Sequence, residues 1–196
     1  EKEQEKEEEG IAEASGAPRT SETRPMKELI LFRHAKASRE GPSMSDLDRP
    51  LARRGRSAVA QMAGWLAATG YRPDTVLCSA AVRTRETFSF LRESLGNPEV
   101  HFERALYLVS AVRLLQRLRE LPGKTRSVML IGHNPGLQKL ALQLIADRSA
   151  ETRARIKMKF PTAALVRFEV NAAGWNDLGP ETARLLDCVY PRDLDS

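Results

Sequence analysis

The sequence predicts an α/β protein with one mostly parallel sheet and helices on both faces. Three short stretches rich in apolar residues, at residues 29–32, 74–78 and 127–131, are each followed by a stretch with apolar residues at helical spacing. Continuous apolar runs of this length are typical of strands buried on both faces, as in a parallel sheet. Their alternation with helices favours a single sheet covered on two sides.

The remaining elements follow from periodicity and from turn residues. Apolar residues at helical spacing predict helices over residues 51–69, 80–95, 111–121 and 135–145, with Asn134 as the N-cap of the last. Gly70 and Gly96 are expected to end the first two helices. Further strands are expected near residues 100–102, 162–170 and 184–190, whereas residues 150–159 fit no pattern clearly.

Length and charge predict an acidic, disordered tail over residues 1–25 and one domain over residues 26–196. Residues 1–9 carry six Glu and two Lys, so the rest of the chain has a net charge of +9 within a total of +5. The two cysteines form no disulfide framework, which indicates a reducing compartment. We expect a cytoplasmic protein or, since the sequence starts at Glu, a processed protein of an organelle stroma.

Charged side chains follow the three apolar strands where those strands end. Arg33 and His34 follow the first strand, Ser79 and then Arg83 follow the second, and His133 follows the third. The carboxyl ends of parallel strands meet at one edge of a sheet, so these groups are expected to lie together. Guanidinium forks match phosphate oxygens, which predicts a pocket for a compact anion.

This set of residues suits phosphoryl transfer through a covalent intermediate. A neutral imidazole is a competent nucleophile toward phosphorus, and the two arginines with the second histidine would stabilise charge on the transferred oxygens. Lys36 is a further candidate for binding phosphate. No metal-ligand spacing such as HExxH or CxxC occurs, so we expect neither a metal nor a cofactor.

Other residues invite different interpretations. Cys78 and Arg83 are one position too close for the Cys-x5-Arg loop of cysteine phosphatases, and Cys78 is expected to be buried and inert. His101, between two apolar residues, is expected to be structural. A cluster of arginines is expected to be a solvated helix edge that attracts acidic substrates: Arg49, Arg53, Arg54 and Arg56.

Four motifs in order resemble the histidine phosphatase superfamily (phosphoglycerate mutase-like), specifically its SixA-type phosphohistidine phosphatase branch. They are LFRHAKAS at 31–38, DRPL at 48–51, CSAAVRTRET at 78–87 and IGHNPG at 131–136, within a likeness spanning about residues 29–144. The resemblance implies a three-layer αβα sandwich. It also implies that His34 becomes phosphorylated, while Arg33, Arg83 and His133 complete the phosphate pocket.

Two positions depart from the family pattern, and one role stays open. Ala35 stands where the larger superfamily has Gly, and Ala52 stands where a Thr usually caps the following helix, which should weaken that cap. The proton donor stays open: it is Glu103, Asp46 or Asp48, or there is none. A donor can be absent because cleavage of an N–P bond needs less proton donation than cleavage of an ester.

We therefore expect a metal-independent phosphatase acting on phosphohistidine of a protein. The short connections leave no evident lid, which favours a protein-borne phosphate over a small sugar phosphate. The alternatives are a phosphomonoesterase acting on small phosphoesters and a module that binds phosphate without turnover. Nucleic acid is not an expected partner, because basic charge alone specifies none, and no apolar run is long enough to span a bilayer.

Overall fold

The computed structural model describes residues 26–39, 44–146 and 150–195 of the chain, so the predicted tail over residues 1–25 lies outside the described residues. In the described part, six strands form one sheet in the order β3-β2-β4-β1-β5-β6. The strands are β1 (Lys27–Arg33), β2 (Thr75–Ser79), β3 (Glu99–Glu103), β4 (Ser127–Gly132), β5 (Leu165–Val170) and β6 (Ala183–Val189). The first four are parallel, β5 is antiparallel to β1, and β6 is antiparallel to β5.

Helices cover both faces of this sheet, which confirms the αβα sandwich. They are α1 (Arg53–Thr69), α2 (Val82–Leu91), α3 (Ala111–Arg119), α4 (Gly136–Leu144) and α5 (Ala150–Met158). The strand β1 shows the two-sided burial: Leu29 and Leu31 join one hydrophobic cluster with α3 and α4, whereas Ile30 and Phe32 join the other with α1 and α2. Within the described ranges, no helix has both the length and the apolar composition needed to cross a membrane.

The element boundaries differ from the predictions in a few places. The helix α1 begins at Arg53 after Ala52, whose side chain makes no capping hydrogen bond, and it ends at Gly70 with φ of +68°. The helix α2 ends at Leu91 rather than at residue 95, because the chain turns there before reaching Gly96 with its left-handed φ of +80°. Residues 150–158, which fitted no pattern, form α5.

The predicted N-cap of α4 is wrong. The helix begins at Gly136, and Pro135 occupies the cap position. The Asn134 side chain instead donates a hydrogen bond of 3.0 Å to the carbonyl of Phe160. Asn134 therefore ties this loop to the segment that leads into β5.

Strand register sets the positions of the predicted site residues. In the parallel pair β1 and β4, Arg33 lies opposite Gly132, so His34 and His133 follow side by side. The His34 N–H also donates to the Gly132 carbonyl at 3.1 Å. Since β2 runs parallel on the other side of β4, with Cys78 opposite Ile131, the three strand ends meet at one edge.

Close packing of α1 against the loop after β1 generates a prediction about stability. A Cβ atom at Gly55 would lie 2.1 Å from the carbonyl oxygen of Lys36, whereas a Cβ at Gly64, in the same helix, would meet open space. We expect Gly55→Ala to lower the free energy of unfolding by about 1–3 kcal/mol, because backbone must move. Gly64→Ala should raise it by about 0.5–1 kcal/mol through helix propensity. Urea unfolding of both variants is the measurement, and equal effects would contradict the packing argument.

Candidate active site

A cleft of about 360 Å³ opens at the carboxyl edge of the sheet. It brings together all five residues predicted for the site: Arg33, His34, Lys36, Arg83 and His133. Its other lining residues are Ala37, Asp46, Arg49, Leu108, Asn134 and Thr162. The lining is therefore strongly cationic, and Asp46 is its only carboxylate among the residues that the structure describes.

His34 is held as a neutral imidazole. Its side chain is buried, and its Nδ1 lies 2.7 Å from the carbonyl oxygen of Ala35. A carbonyl oxygen only accepts hydrogen bonds, so Nδ1 carries the proton and the lone pair belongs to Nε2. Burial lowers the pKa of His34 to about 3, with Arg83 and Arg33 adding to the effect against the bond to Ala35. The nitrogen with the lone pair is thus available as a nucleophile at neutral pH.

Two neighbouring segments fix the backbone around His34. The N–H of Ala35 donates to Thr87 Oγ1 at 3.0 Å, and the Thr87 hydroxyl donates to the Arg83 carbonyl at 2.7 Å. On the other side the N–H of Ala163 donates to the His34 carbonyl at 3.1 Å. Ala163 has a φ of +61°, a conformation that non-glycine residues adopt mainly where surrounding contacts impose it.

His133 lies beside His34 with 5.0 Å between the ring centroids. Its Nε2 is 2.8 Å from the buried hydroxyl of Ser79, while its Nδ1 is buried and has no hydrogen-bond partner in the described part of the chain. Burial lowers the pKa of His133 to about 3, with further lowering by His34 and Arg83. A buried nitrogen without a hydrogen bond costs free energy unless a ligand supplies the bond. The Nδ1 atom is therefore consistent with a site for an oxygen atom of an anion.

The two arginines are oriented by oxygen atoms on different segments. Arg33 donates through Nη1 to the Phe160 carbonyl at 2.7 Å, and its buried Nε has no partner among the described residues. Arg83, almost fully buried, donates from Nη1 to the Asp46 carbonyl at 2.5 Å and from Nη2 to the Asp46 carboxylate at 2.9 Å. Guanidinium groups stay charged in proteins, so both supply fixed positive charge.

Asp46 is the centre of a hydrogen-bonded cluster that the sequence did not reveal. Its carboxylate accepts bonds from Arg83, from Arg49 at 2.8 Å and from the hydroxyl of Tyr107. The Tyr107 bond, together with those from Arg49 and Arg83, holds the pKa of Asp46 well below its usual range despite burial. Asp46 is therefore ionised at neutral pH, and it accepts hydrogen bonds from groups that could otherwise donate to an incoming anion.

The other candidates from the sequence lie outside the cleft lining. Glu103 forms a two-point ion pair with Arg117, at distances down to 2.8 Å, and Asp48 accepts a hydrogen bond from a nearby serine. His101 is half exposed on β3, away from the cleft. Cys78 is buried, and burial raises the pKa of its thiol, so it is unreactive as expected.

A larger cleft of about 660 Å³ lies at the opposite edge of the sheet, where the strands begin. Its lining mixes acidic residues such as Asp74 and Glu99 with basic residues such as Lys124 and Arg126. Charges of both signs there balance one another. The smaller, cationic cleft is therefore the better candidate for a site that binds an anion.

Comparisons with known proteins agree with this geometry. The model of the histidine phosphatase superfamily (branch 1) matches residues 29–107. An uncharacterised protein of Mycobacterium tuberculosis is 33% identical over 163 residues, covering 82% of this chain and 100% of that protein. An uncharacterised chloroplastic protein of Arabidopsis thaliana is 31% identical over 195 residues, covering 92% of this chain and 84% of that protein.

Solved structures give the same result. A candidate phosphohistidine phosphatase SixA from Agrobacterium tumefaciens superposes with a TM-score of 0.73 at 27% identity, covering 84% of this chain and 98% of that one. The motifs, the strand order and these matches agree. The chain belongs to the histidine phosphatase superfamily, whose members are phosphatases, and its fold is of the SixA type.

Proposed function

We propose that this chain hydrolyses phosphohistidine on a protein, with His34 as the nucleophile and without a metal ion. The observation that carries the proposal is the neutral imidazole of His34, protonated at Nδ1, in a cleft with Arg33, Arg83 and His133. A phosphorylated substrate follows from membership of a family of phosphatases. The identity of the group that bears the phosphate is the proposed part.

The reaction proceeds in two displacements at phosphorus. The lone pair of His34 Nε2 attacks and an Nε2–P bond forms, while the bond from phosphorus to the substrate's ring nitrogen breaks. The electron pair goes to that ring, which leaves as neutral imidazole because its other nitrogen already carries a proton. Water then attacks phosphorus and the Nε2–P bond breaks, which returns the lone pair to His34; the proton lost by the water passes to bulk solvent, and inorganic phosphate is released. Arg33, Arg83 and His133 stabilise the charge on the three phosphoryl oxygens.

The state of Asp46 favours an N–P bond over an ester bond. An ionised carboxylate cannot give a proton to a leaving group, and Glu103 and Asp48 lie outside the cleft lining. An ester needs such a donor more than phosphohistidine does, because an alkoxide is a poorer leaving group than imidazole. The similarity to a candidate phosphohistidine phosphatase from Agrobacterium tumefaciens supports the same substrate class.

Two alternatives remain as outcomes of the tests below. A phosphomonoesterase for small phosphoesters would use the same cleft, and a non-catalytic module would bind phosphate there without turnover. The compartment is also a proposal. The chloroplastic relative from Arabidopsis thaliana is compatible with an organelle stroma, and the cytoplasm is the other proposed location.

The proposal predicts covalent phosphorylation of His34. With EDTA present, the wild type should release phosphate from a phosphohistidine peptide, and His34→Ala should lose at least about a thousandfold in rate, since no nucleophile remains. His101→Ala, which removes a half-exposed histidine outside the cleft, is the matched control and should retain full activity. Phosphate should be trapped on His34 after a quench at alkaline pH.

Several outcomes would contradict the assignment. Equal rates for the wild type and His34→Ala would exclude His34 as the nucleophile. Faster hydrolysis of phosphoserine or sugar phosphates than of phosphohistidine would favour the phosphomonoesterase. Binding of phosphate with no turnover of any substrate would favour the binding module.

Burial of the two cleft histidines predicts their behaviour with pH. Both have a pKa lowered to about 3, so both should stay neutral between pH 7 and pH 5 in NMR spectra of labelled histidine, assigned with single variants. A histidine in the unfolded chain binds a proton near pH 6.5. The unfolded state is therefore favoured as the pH falls from 6.5 toward 3, and the two sites lose their stabilising contribution over that range. Titration of either folded imidazole near pH 6.5 would contradict the analysis.

Competition for Arg83 predicts the effect of removing the Asp46 charge. Because the carboxylate repels an incoming phosphate, Asp46→Asn should tighten binding of inorganic phosphate by about three- to tenfold, as expected for screened charges near a surface. Asp48→Asn, two residues away and outside the cleft lining, makes the same change in net charge and serves as the control. Calorimetry measures both. Weaker binding by Asp46→Asn alone would show instead that the carboxylate is needed to orient Arg83.

A further inference from the structure

A second groove of about 410 Å³ adjoins the phosphate cleft. Five cations line it, and we call it the basic groove: Arg33, Lys36, Arg54, Lys159 and Arg192. Two of these, Arg33 and Lys36, also line the phosphate cleft, and so does Thr162. The basic groove is thus a continuation of the site where the phosphoryl group is expected to bind.

Four separate segments build the basic groove. Arg33 and Lys36 come from the end of β1 and the loop after it, and Arg54 is the second residue of α1. Lys159 follows α5, and Arg192 follows β6. Cations from such distant parts of the sequence face one groove only because the fold brings them there.

The positive charge in the basic groove is not balanced locally. None of its lining residues is acidic, and Lys36, Arg54 and Lys159 form no salt bridge with the residues that the structure describes. Arg192 is highly exposed and has one carboxylate, that of Asp193, at 3.9 Å. Within the phosphate cleft, in contrast, Arg83 and Arg49 are paired with a carboxylate. The groove therefore retains its attraction for an anionic ligand.

The rest of the lining suits a peptide better than a compact anion. Ala58, Pro161 and Pro191, all partly exposed, contribute apolar surface between the cations. Acidic side chains on a polypeptide would place carboxylates near the cations and their backbone and methylene groups against the apolar surface. A second phosphate on a small molecule would use the cations but not this surface.

We propose that the basic groove binds an acidic segment of the substrate protein next to its phosphorylated residue. The proposal rests on the proposed function for the phosphorylated residue, but it concerns the sequence around that residue. Exposed cations at the rim of a site act mainly on the association rate and on its salt dependence. The groove therefore selects the substrate, while the residues of the phosphate cleft carry out the chemistry.

The test uses a pair of phosphohistidine peptides that differ only in charge. One has Asp and Glu on both sides of the phosphohistidine, and the other has Asn and Gln at the same positions. The double variant R54Q/K159Q should lower kcat/KM for the acidic peptide by about three- to tenfold, with kcat unchanged, as expected for exposed charge pairs. Hydrolysis of the amide peptide and of phosphoimidazole should change less than about twofold by the same reasoning.

A matched control separates local recognition from total charge. The double variant R113Q/K139Q removes one exposed arginine and one exposed lysine from α3 and α4, outside the basic groove. It should leave kcat/KM for the acidic peptide within about twofold of the wild type, because screening by salt limits the effect of distant charges. Raising the salt concentration should weaken the preference of the wild type for the acidic peptide.

Three outcomes would overturn the proposal. The first is equal kcat/KM of the wild type for the two peptides. The second is a loss of kcat/KM in the control variant as large as that in R54Q/K159Q, and the third is a gain of activity in R54Q/K159Q. A gain would indicate that a competing acidic segment, such as the Glu-rich residues 1–9, occupies the groove. If the wild type hydrolyses neither phosphoimidazole nor either peptide, the proposed function fails instead, and the same peptide pair with phosphoserine then tests the groove.

Discussion

The parallel pairing of β1 with β4 is the constraint on which the site depends. Arg33 lies opposite Gly132, and a histidine follows each of these residues in the sequence. The register therefore places the two histidine rings side by side, 5.0 Å apart. The neighbouring strand β2 ends beside them and supplies Ser79, which binds His133. A shift of one residue in either register would separate the rings and turn the strand side chains to the opposite faces of the sheet, so the buried sheet also preserves the active-site geometry.

The two kinds of base in the cleft differ in charge. The imidazoles of His34 and His133 lose their protons readily, because desolvation and the nearby guanidinium groups disfavour a positive charge. The guanidinium groups of Arg33 and Arg83 keep theirs. The cleft therefore combines a neutral imidazole, the proposed nucleophile, with fixed cations, and the carboxylate of Asp46 offsets part of the positive charge. Phosphoryl transfer requires this combination, since the nucleophile needs a lone pair and the phosphoryl oxygens need positive charge.

Much of this arrangement could be predicted from the sequence, because apolar runs and the residues after them are local signals. Runs such as residues 29–32 are apolar on both faces, and the structure buries both. The helix α5 could not be predicted in this way. Ile156 is its only buried residue within the described chain, so the sequence shows no repeat of apolar residues at helical spacing. Contacts between distant residues left no local signal either: Asp46 and Tyr107 are 61 positions apart. The left-handed backbone of Ala163 is likewise imposed by its surroundings, because alanine has no preference for it.

The distribution of cations fits the proposed protein substrate. Arg83 is almost fully buried and held by Asp46, so its position is fixed before the substrate arrives and it loses little entropy in the transition state. The cations farther along the basic groove, Arg54, Lys159 and Arg192, are exposed, which suits them for attracting an acidic segment but not for stabilising a transition state. Arg33 and Lys36 line both regions, so a phosphoryl group in the cleft and an acidic chain in the groove would share them. Binding of the chain would therefore place the phosphorylated residue beside His34, which converts affinity for the substrate sequence into positioning for attack.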